Sequence, residues 1–250
     1  MEENITAVSR GSRLRAIEIF YQPVFDVHLN MAIDFEISMQ INDRQLGVLL
    51  PEKFVPIAEK SNQICEINKW AIEECCDAII RCAKREADIN RVIVPISVKY
   101  LSKKNFLQQV SKILEKKQIA PDKFCLNINE SILENTKDQV IENINAAREY
   151  GFLVSIDDFG VEFTSLTHLS HYRVDYIGIH ASLLDDILAN ERAQNVVQGI
   201  VDFAKKIETK VKVDGVDNEE KAALLRAMGV DQMKGPYYGK PIAERQIKIN

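Results

Sequence analysis

Several things are scarce in this sequence, and each scarcity narrows what the chain is. Five cysteines (Cys65, Cys75, Cys76, Cys82, Cys125) and four histidines are scattered through 250 residues, with no C-x-x-C pair and no zinc-like spacing. A disulfide scaffold or zinc module is therefore excluded, and a reducing, cytoplasmic compartment is expected. His168 and His171 alone approach a metal-pair spacing, and a solvated surface pair is their simpler reading. No apolar run approaches the roughly 18 residues of a membrane span. The opening Met1-Glu2-Glu3 has no apolar h-region, so no signal peptide is expected. Positive charge is not in excess either. The formal net charge is -5, which argues against a polymeric DNA or RNA partner. Glycine and proline are few (10 and 7), and no linker-like stretch divides the chain.

What is present is alternation. Hydrophobic residues make up 46%, enough for a large core. Residues 1–13 are polar and read as a mobile tail, leaving 14–250 as one domain. Ile17 to Val27 and Ala32 to Ile41 read as strands joined near His28-Leu29-Asn30. Helical spacing follows over Phe54 to Lys60 and Ile64 to Arg85, with Trp70 as core, and Val92 to Val98 is an apolar run suited to a strand buried on both faces. Further helices are predicted over 104–117, 137–150, 165–169, 183–206 and 219–228. The intervening strands fall at 124–128, 153–156, 174–179, 210–213 and 230–233. Sustained strand-helix alternation predicts a parallel sheet closed into an α/β barrel, a fold of about this length.

Barrels of this kind carry their chemistry at the C-terminal ends of the strands. Those exits here present Glu36, Lys99, Asn127 with Glu130, Asp157 with Asp158, His180, Asp214 and Lys234. Carboxylates from separate strands converging on one rim are costly without a cation or donor to neutralise them. Ile156-Asp157-Asp158-Phe159-Gly160 is the sharpest local signal. It suits either a bridge between two cations or a polar turn bent at Gly160.

The dispersed segments Tyr21-Gln22-Pro23, Phe35-Glu36-Ile37, Pro56-Ile57-Ala58-Glu59, Asp157-Asp158-Phe159-Gly160, Val174-Asp175-Tyr176-Ile177, Asp214-Gly215-Val216-Asp217 and Gly235 to Pro241 occur in one order. In that order they resemble the EAL domain family, over roughly residues 14–242. The resemblance implies a TIM-like (β/α)8 barrel in its EAL variant, acting in bacterial cyclic di-GMP signalling. Active members hydrolyse cyclic di-GMP to linear pGpG with two Mg²⁺ or Mn²⁺ ions, usually as dimers, so a homodimer is one possible state.

Against that pattern the chain departs repeatedly. Where the family reads E-x-L-x-R, this sequence has Glu36-Ile37-Ser38-Met39-Gln40, so the metal-binding Glu is kept and the phosphate-meeting Arg is Gln40. The S-V-N asparagine is Lys99, the first Glu of E-x-T-E is Asn127, and its loop-supporting second Glu is kept as Glu130. The K-I-D lysine that serves the catalytic water is Gly178, followed by Ile179-His180. The metal-binding Glu of A-E-G-V-E is Asp214, and the Gln before the final glycine is Lys234. Glu162 and Phe163 replace a Gly and a Tyr of the loop that couples metal occupancy to dimerisation, either relaxing that coupling or varying an ordinary loop.

The six metal-shell positions here, Glu36, Lys99, Asn127, Asp157, Asp158 and Asp214, carry a net -3, against -5 in the family. An ammonium offers no oxygen to a hard dication and repels it. Glu36, Asp157, Asp158 and Asp214 are accordingly read as vestigial metal ligands, with no cofactor expected and Mg or Mn only if catalysis survives. Lys99 is expected to occupy the vacated metal position, paired with Glu36 and Asp157, the alternative placing its ammonium in solvent. Gln22, the 56–59 segment and Pro241 preserve part of a ligand pocket. Loss of the Arg removes a contact of about 1.5–3 kcal/mol, so cyclic di-GMP binding is expected to be weak or undetectable, even if Lys99 and Lys234 meet a phosphate. Three functions follow in order: a non-catalytic regulatory module with an unidentified protein partner, a catalytically inert cyclic di-GMP receptor, and an atypical phosphodiesterase.

Overall fold

A computed structural model of the chain describes residues 16–43, 47–129, 138–160 and 173–248. The strands are β1 (Ile17–Asp26), β2 (Met31–Asp43), β3 (Gly47–Leu49), β4 (Arg91–Pro95), β5 (Phe124–Asn129), β6 (Leu153–Phe159), β7 (Tyr176–Ile179), β8 (Lys210–Val213), β9 (Gln232–Lys234) and β10 (Ile242–Ala243). The helices are α1 (Pro51–Lys60), α2 (Gln63–Ala83), α3 (Val98–Leu101), α4 (Phe106–Lys117), α5 (Asp138–Tyr150), α6 (Glu191–Lys206) and α7 (Glu219–Met228).

Strands β2, β4, β5, β6, β7, β8 and β9 run parallel, each hydrogen-bonded to the next. β1 lies antiparallel between β9 and β2 and closes the barrel. The TIM-like eight-stranded barrel is thus present, with one strand reversed because a tight hairpin at residues 27–30 links β1 to β2. This hairpin continues beyond the barrel rim, where β3 and β10 pair with it.

Helix α2 shows why the elements form where they do. Ile64, Ile67, Ala71, Ile72, Cys75, Ile79 and Cys82 recur at helical spacing and are all buried against the barrel. The five cysteines are free and buried, as expected of small apolar side chains. Val24, Ile93, Cys125 and Tyr176 form a small cluster separate from the main core, and it fills the barrel interior. Below it, the buried Asp34 carboxylate accepts hydrogen bonds from Asn90 (2.7 Å), Arg91 (3.1 Å) and Gln232 (2.9 Å), which seals the lower end with a paired charge.

Two elements differ from the sequence reading. The strand expected to run to Val98 stops at Pro95, because the Ser97 side chain accepts from the Tyr100 amide and starts α3. The long helix expected over 183–206 is broken. A 3-10 turn covers Ala181–Leu184, and α6 starts at Glu191, where Asn190 accepts from the amides of Arg192 and Ala193. The helix predicted at 165–169, His168, His171, Glu162 and Phe163 lie outside the described residues, as do residues 1–13.

Candidate functional site

The upper rim gathers the strand exits by parity. Side chains alternate along each strand, so the residues that share the inward face with the barrel interior lead directly to the site. On β8, Val211 and Val213 are buried beneath the helices, which leaves Lys212 on the inward face.

Glu36 of β2 is the centre. Lys212 donates to its Oε2 at 2.7 Å, and Lys234 of β9 donates to its Oε1. Both ammoniums also face a second carboxylate. Lys212 Nζ lies 3.6 Å from Asp157 Oδ2, and Lys234 Nζ lies 3.1 Å from Asp214 Oδ2. Lys212 is 1% exposed and Lys234 6%, so both ammonium groups are shielded from water. Burial alone raises the Glu36 carboxyl, but the Lys212 and Lys234 ammoniums together outweigh it and hold the pKa down at about 2. Burial likewise pulls the Lys212 ammonium down, and Asp157 and Glu36 more than reverse it. For Lys234 the reversal comes first from Glu36.

Asp157 and Asp158 sit where the pairing of β6 with β7 slips its register. A bulge re-aims successive side chains, and Asp158 adopts a left-handed backbone with φ 60°, a conformation that costs a non-glycine residue about 1–3 kcal/mol. Asn127 Nδ2 donates to Asp157 Oδ2 at 2.7 Å, and Asn129 donates to the Asp158 carboxylate. Burial, reinforced by the neighbouring Asp157 charge, raises the Asp158 carboxyl.

Gly178 supplies the space for this arrangement. A Cβ there would stand 2.1 Å from Asp157 Oδ1, so only glycine lets that carboxylate lean over β7. Gly178 also lies in register with Lys212 on the adjacent strand. A lysine is therefore absent from β7 and present one strand over at the same level.

Lys99 is not in the cluster. Since α3 begins at Val98, its side chain leaves the strand direction and donates to the Glu59 carbonyl near the end of α1. The pairing of Lys99 with Glu36 and Asp157 expected from the sequence is replaced by Lys212 and Lys234. Lys212 was missed because its inward direction shows only in the Lys210-Val211-Lys212-Val213 alternation. Lys234, read as a phosphate partner, is spent on Glu36 and Asp214. Gln40 lies on the hairpin extension and donates to Glu18 Oε2 at 3.3 Å, while Gln22 Nε2 holds the Gly239 carbonyl at 3.0 Å. Pro241 immediately precedes β10. His180 Nδ1 accepts from the Ser182 amide and caps the 3-10 turn. Glu130 lies outside the described residues.

A family model described as "EAL domain" matches residues 5–241. Among curated relatives, the cyclic di-GMP phosphodiesterase NbdA of Pseudomonas aeruginosa is 26% identical over 242 residues, which is 97% of this chain and 30% of NbdA. The signaling protein YkoW of Bacillus subtilis is 25% identical over 92% of this chain and 29% of its own length. The chain therefore spans under a third of these relatives. Among solved structures, a PaMucR phosphodiesterase complex with c-di-GMP superposes with a TM-score of 0.89 at 21% identity, covering 99% of both chains. The EAL enzyme Bd1971, with cAMP and cyclic-di-GMP bound, gives 0.88 at 24%, covering 98% of this chain and 66% of that one. At such identities the likeness concerns the fold.

Proposed function

Because this chain belongs to the EAL domain family and yet fills its rim with lysines, we propose that it is a non-catalytic regulatory module of cyclic di-GMP signalling. The family and the name of the relative NbdA support the signalling context. One observation carries the loss of catalysis: both oxygens of Glu36 are occupied by ammonium groups of this same chain.

The donor set does not fit a pair of dications. Two hard cations require many free oxygen ligands, and the two-metal chemistry depends on both ions clamping the attacking and leaving oxygens. Here each Glu36 oxygen already holds an ammonium, Asp214 faces Lys234, and Asp157 is shared between Asn127 and Lys212. No group of three or more His, Cys, Asp or Glu among the described residues is placed to hold a metal. A dication entering the cluster would stand beside two buried positive charges, a repulsion of several kcal/mol at an effective protein dielectric of about 20. The lysines do electrostatically what metals would do, neutralising the converging carboxylates, but they supply no Lewis acid and no activated water.

The test is an assay of cyclic di-GMP hydrolysis with Mg²⁺ and with Mn²⁺ at high protein concentration. The proposal expects no linear product. Steady turnover would sink it, and a thermal shift with the dinucleotide but no turnover would favour the receptor reading instead.

A further inference from the structure

In a barrel of this kind a helix after each strand covers its outer face. β1 runs straight into the hairpin at 27–30 and has no such helix. Its outer face is covered instead by the C-terminal strap, where β10 pairs with β1, Glu244 is held by Arg81 (2.6 Å) and Arg85 (3.2 Å), and Ile247 is buried. The cover is incomplete. A groove of about 470 Å³ remains between the strap and the lower halves of β1 and β2, with an apolar wall formed by Pro23, Phe35, Tyr238, Ile242 and Ile247.

Beside this recess stands a projection. Leu29 at the hairpin tip is 57% exposed, and Met31, which lines the groove, is 40% exposed. The tip is tied down. Asp26 Oδ1 accepts from the His28 and Leu29 amides at 2.9 Å each, and the His28 ring is hydrogen-bonded to Asp231 Oδ1 at 2.9 Å. A leucine displayed on a fixed turn has little conformational freedom left to lose on binding. Both signs of charge are present as well. Glu86 and Asp88, after α2, are exposed on the groove, and their neighbours Arg85 and Arg91 are taken by Glu244 and Asp34. The exposed Lys248 of the strap belongs to the same lining.

We propose that this face is an interface between two copies of the chain related by a two-fold axis. Leu29 of each copy is seated in the groove of the other, and Lys248 of each meets Glu86 and Asp88 of the other. A two-fold contact requires one patch to carry both halves of every complementary pair, and here knob and recess, acid and base, lie on one face. A basic peptide would use the two acids but meet Lys248, and an acidic peptide the reverse, whereas a second copy satisfies both. β6 stands across the barrel from β1, so this contact is separate from the loop after β6 that the family resemblance ties to dimerisation.

The experiment is sedimentation velocity of the full chain at concentrations up to about 200 μM, which detects even weak self-association. A monomer–dimer equilibrium is expected. Leu29→Asp, Lys248→Glu and Glu86→Lys/Asp88→Lys should each raise its dissociation constant by about tenfold or more. All four side chains are exposed, and thermal unfolding checks that the fold is kept. Mixing the Lys248→Glu chain with the Glu86→Lys/Asp88→Lys chain restores opposite charges at both contacts, so the mixture should dimerise more tightly than either variant alone. A monomer throughout the range, which would leave the groove to some other protein, would overturn the proposal. So would a dimer unmoved by Leu29→Asp, or charge variants that fail to pair with each other.

Discussion

Replacing Lys212 with methionine removes one of the two ammoniums on Glu36 while keeping the length and apolar stem of the side chain. Truncating one partner of a buried ion pair costs about 3–5 kcal/mol, because the other charge stays buried and uncompensated. Here Lys234 still holds Glu36 and Asn127 still holds Asp157, so the loss falls at the lower end, about 3 kcal/mol. For a domain of this size a kcal/mol moves the unfolding midpoint by about 2–4 °C, so the variant should melt roughly 6–12 °C lower. The same change takes the ammonium away from Glu36 and Asp157 and so removes the charge that excludes a cation. Mg²⁺ or Mn²⁺ at a hundredfold excess over its dissociation constant would then restore about 2.7 kcal/mol. Thermal unfolding of both proteins with and without the ions is the assay. A variant as stable as the parent, or a parent stabilised by the ions as strongly as the variant, would refute the reasoning.

Three further outcomes follow from the same geometry. Asp34→Asn should cost about 3 kcal/mol of stability, read as a lower urea midpoint at unchanged m-value, since it leaves Arg91 without its buried carboxylate. Lys99→Met should cost only about 0.5–1.5 kcal/mol, the worth of one hydrogen bond, and leave the Glu36 carboxyl resonance unmoved in NMR. Glu36, held down at about 2, should contribute stability that is complete above its unfolded value near 4.5 and lost as pH falls toward 2. That contribution is about 3 kcal/mol, and Glu36→Gln should flatten the acid limb of the stability curve. The raised Asp158 carboxyl acts in the opposite sense, favouring the fold as it gains its proton.

Much of the barrel could be read from sequence because each buried strand is a short apolar run and each helix repeats at 3.6 residues. Val92 to Val94 and the periodic face of α2 leave little choice. Local side-chain competition was harder to see. Ser97 and Asn190 each capture backbone amides, ending one strand early and splitting one helix. The first of these displacements decides the site, since a lysine one residue into a helix cannot point where a strand would send it. The carboxylates Glu36, Asp157, Asp158 and Asp214 were legible from their strand ends. Their neutraliser was not. Lys212 sits at an inward position of a strand whose other residues look ordinary, and only the closed barrel brings it across to Glu36, 176 positions away. Gly178 reads as a missing side chain in the sequence and as room for Asp157 in the fold.

The most direct measurement is a titration of Mn²⁺ into the unmutated chain, followed by electron paramagnetic resonance. Lysines that occupy the carboxylate cluster predict that the six-line signal of the free hydrated ion persists in full at one and two equivalents. Loss of that signal in proportion to protein, to a limit of two ions per chain, would contradict the account.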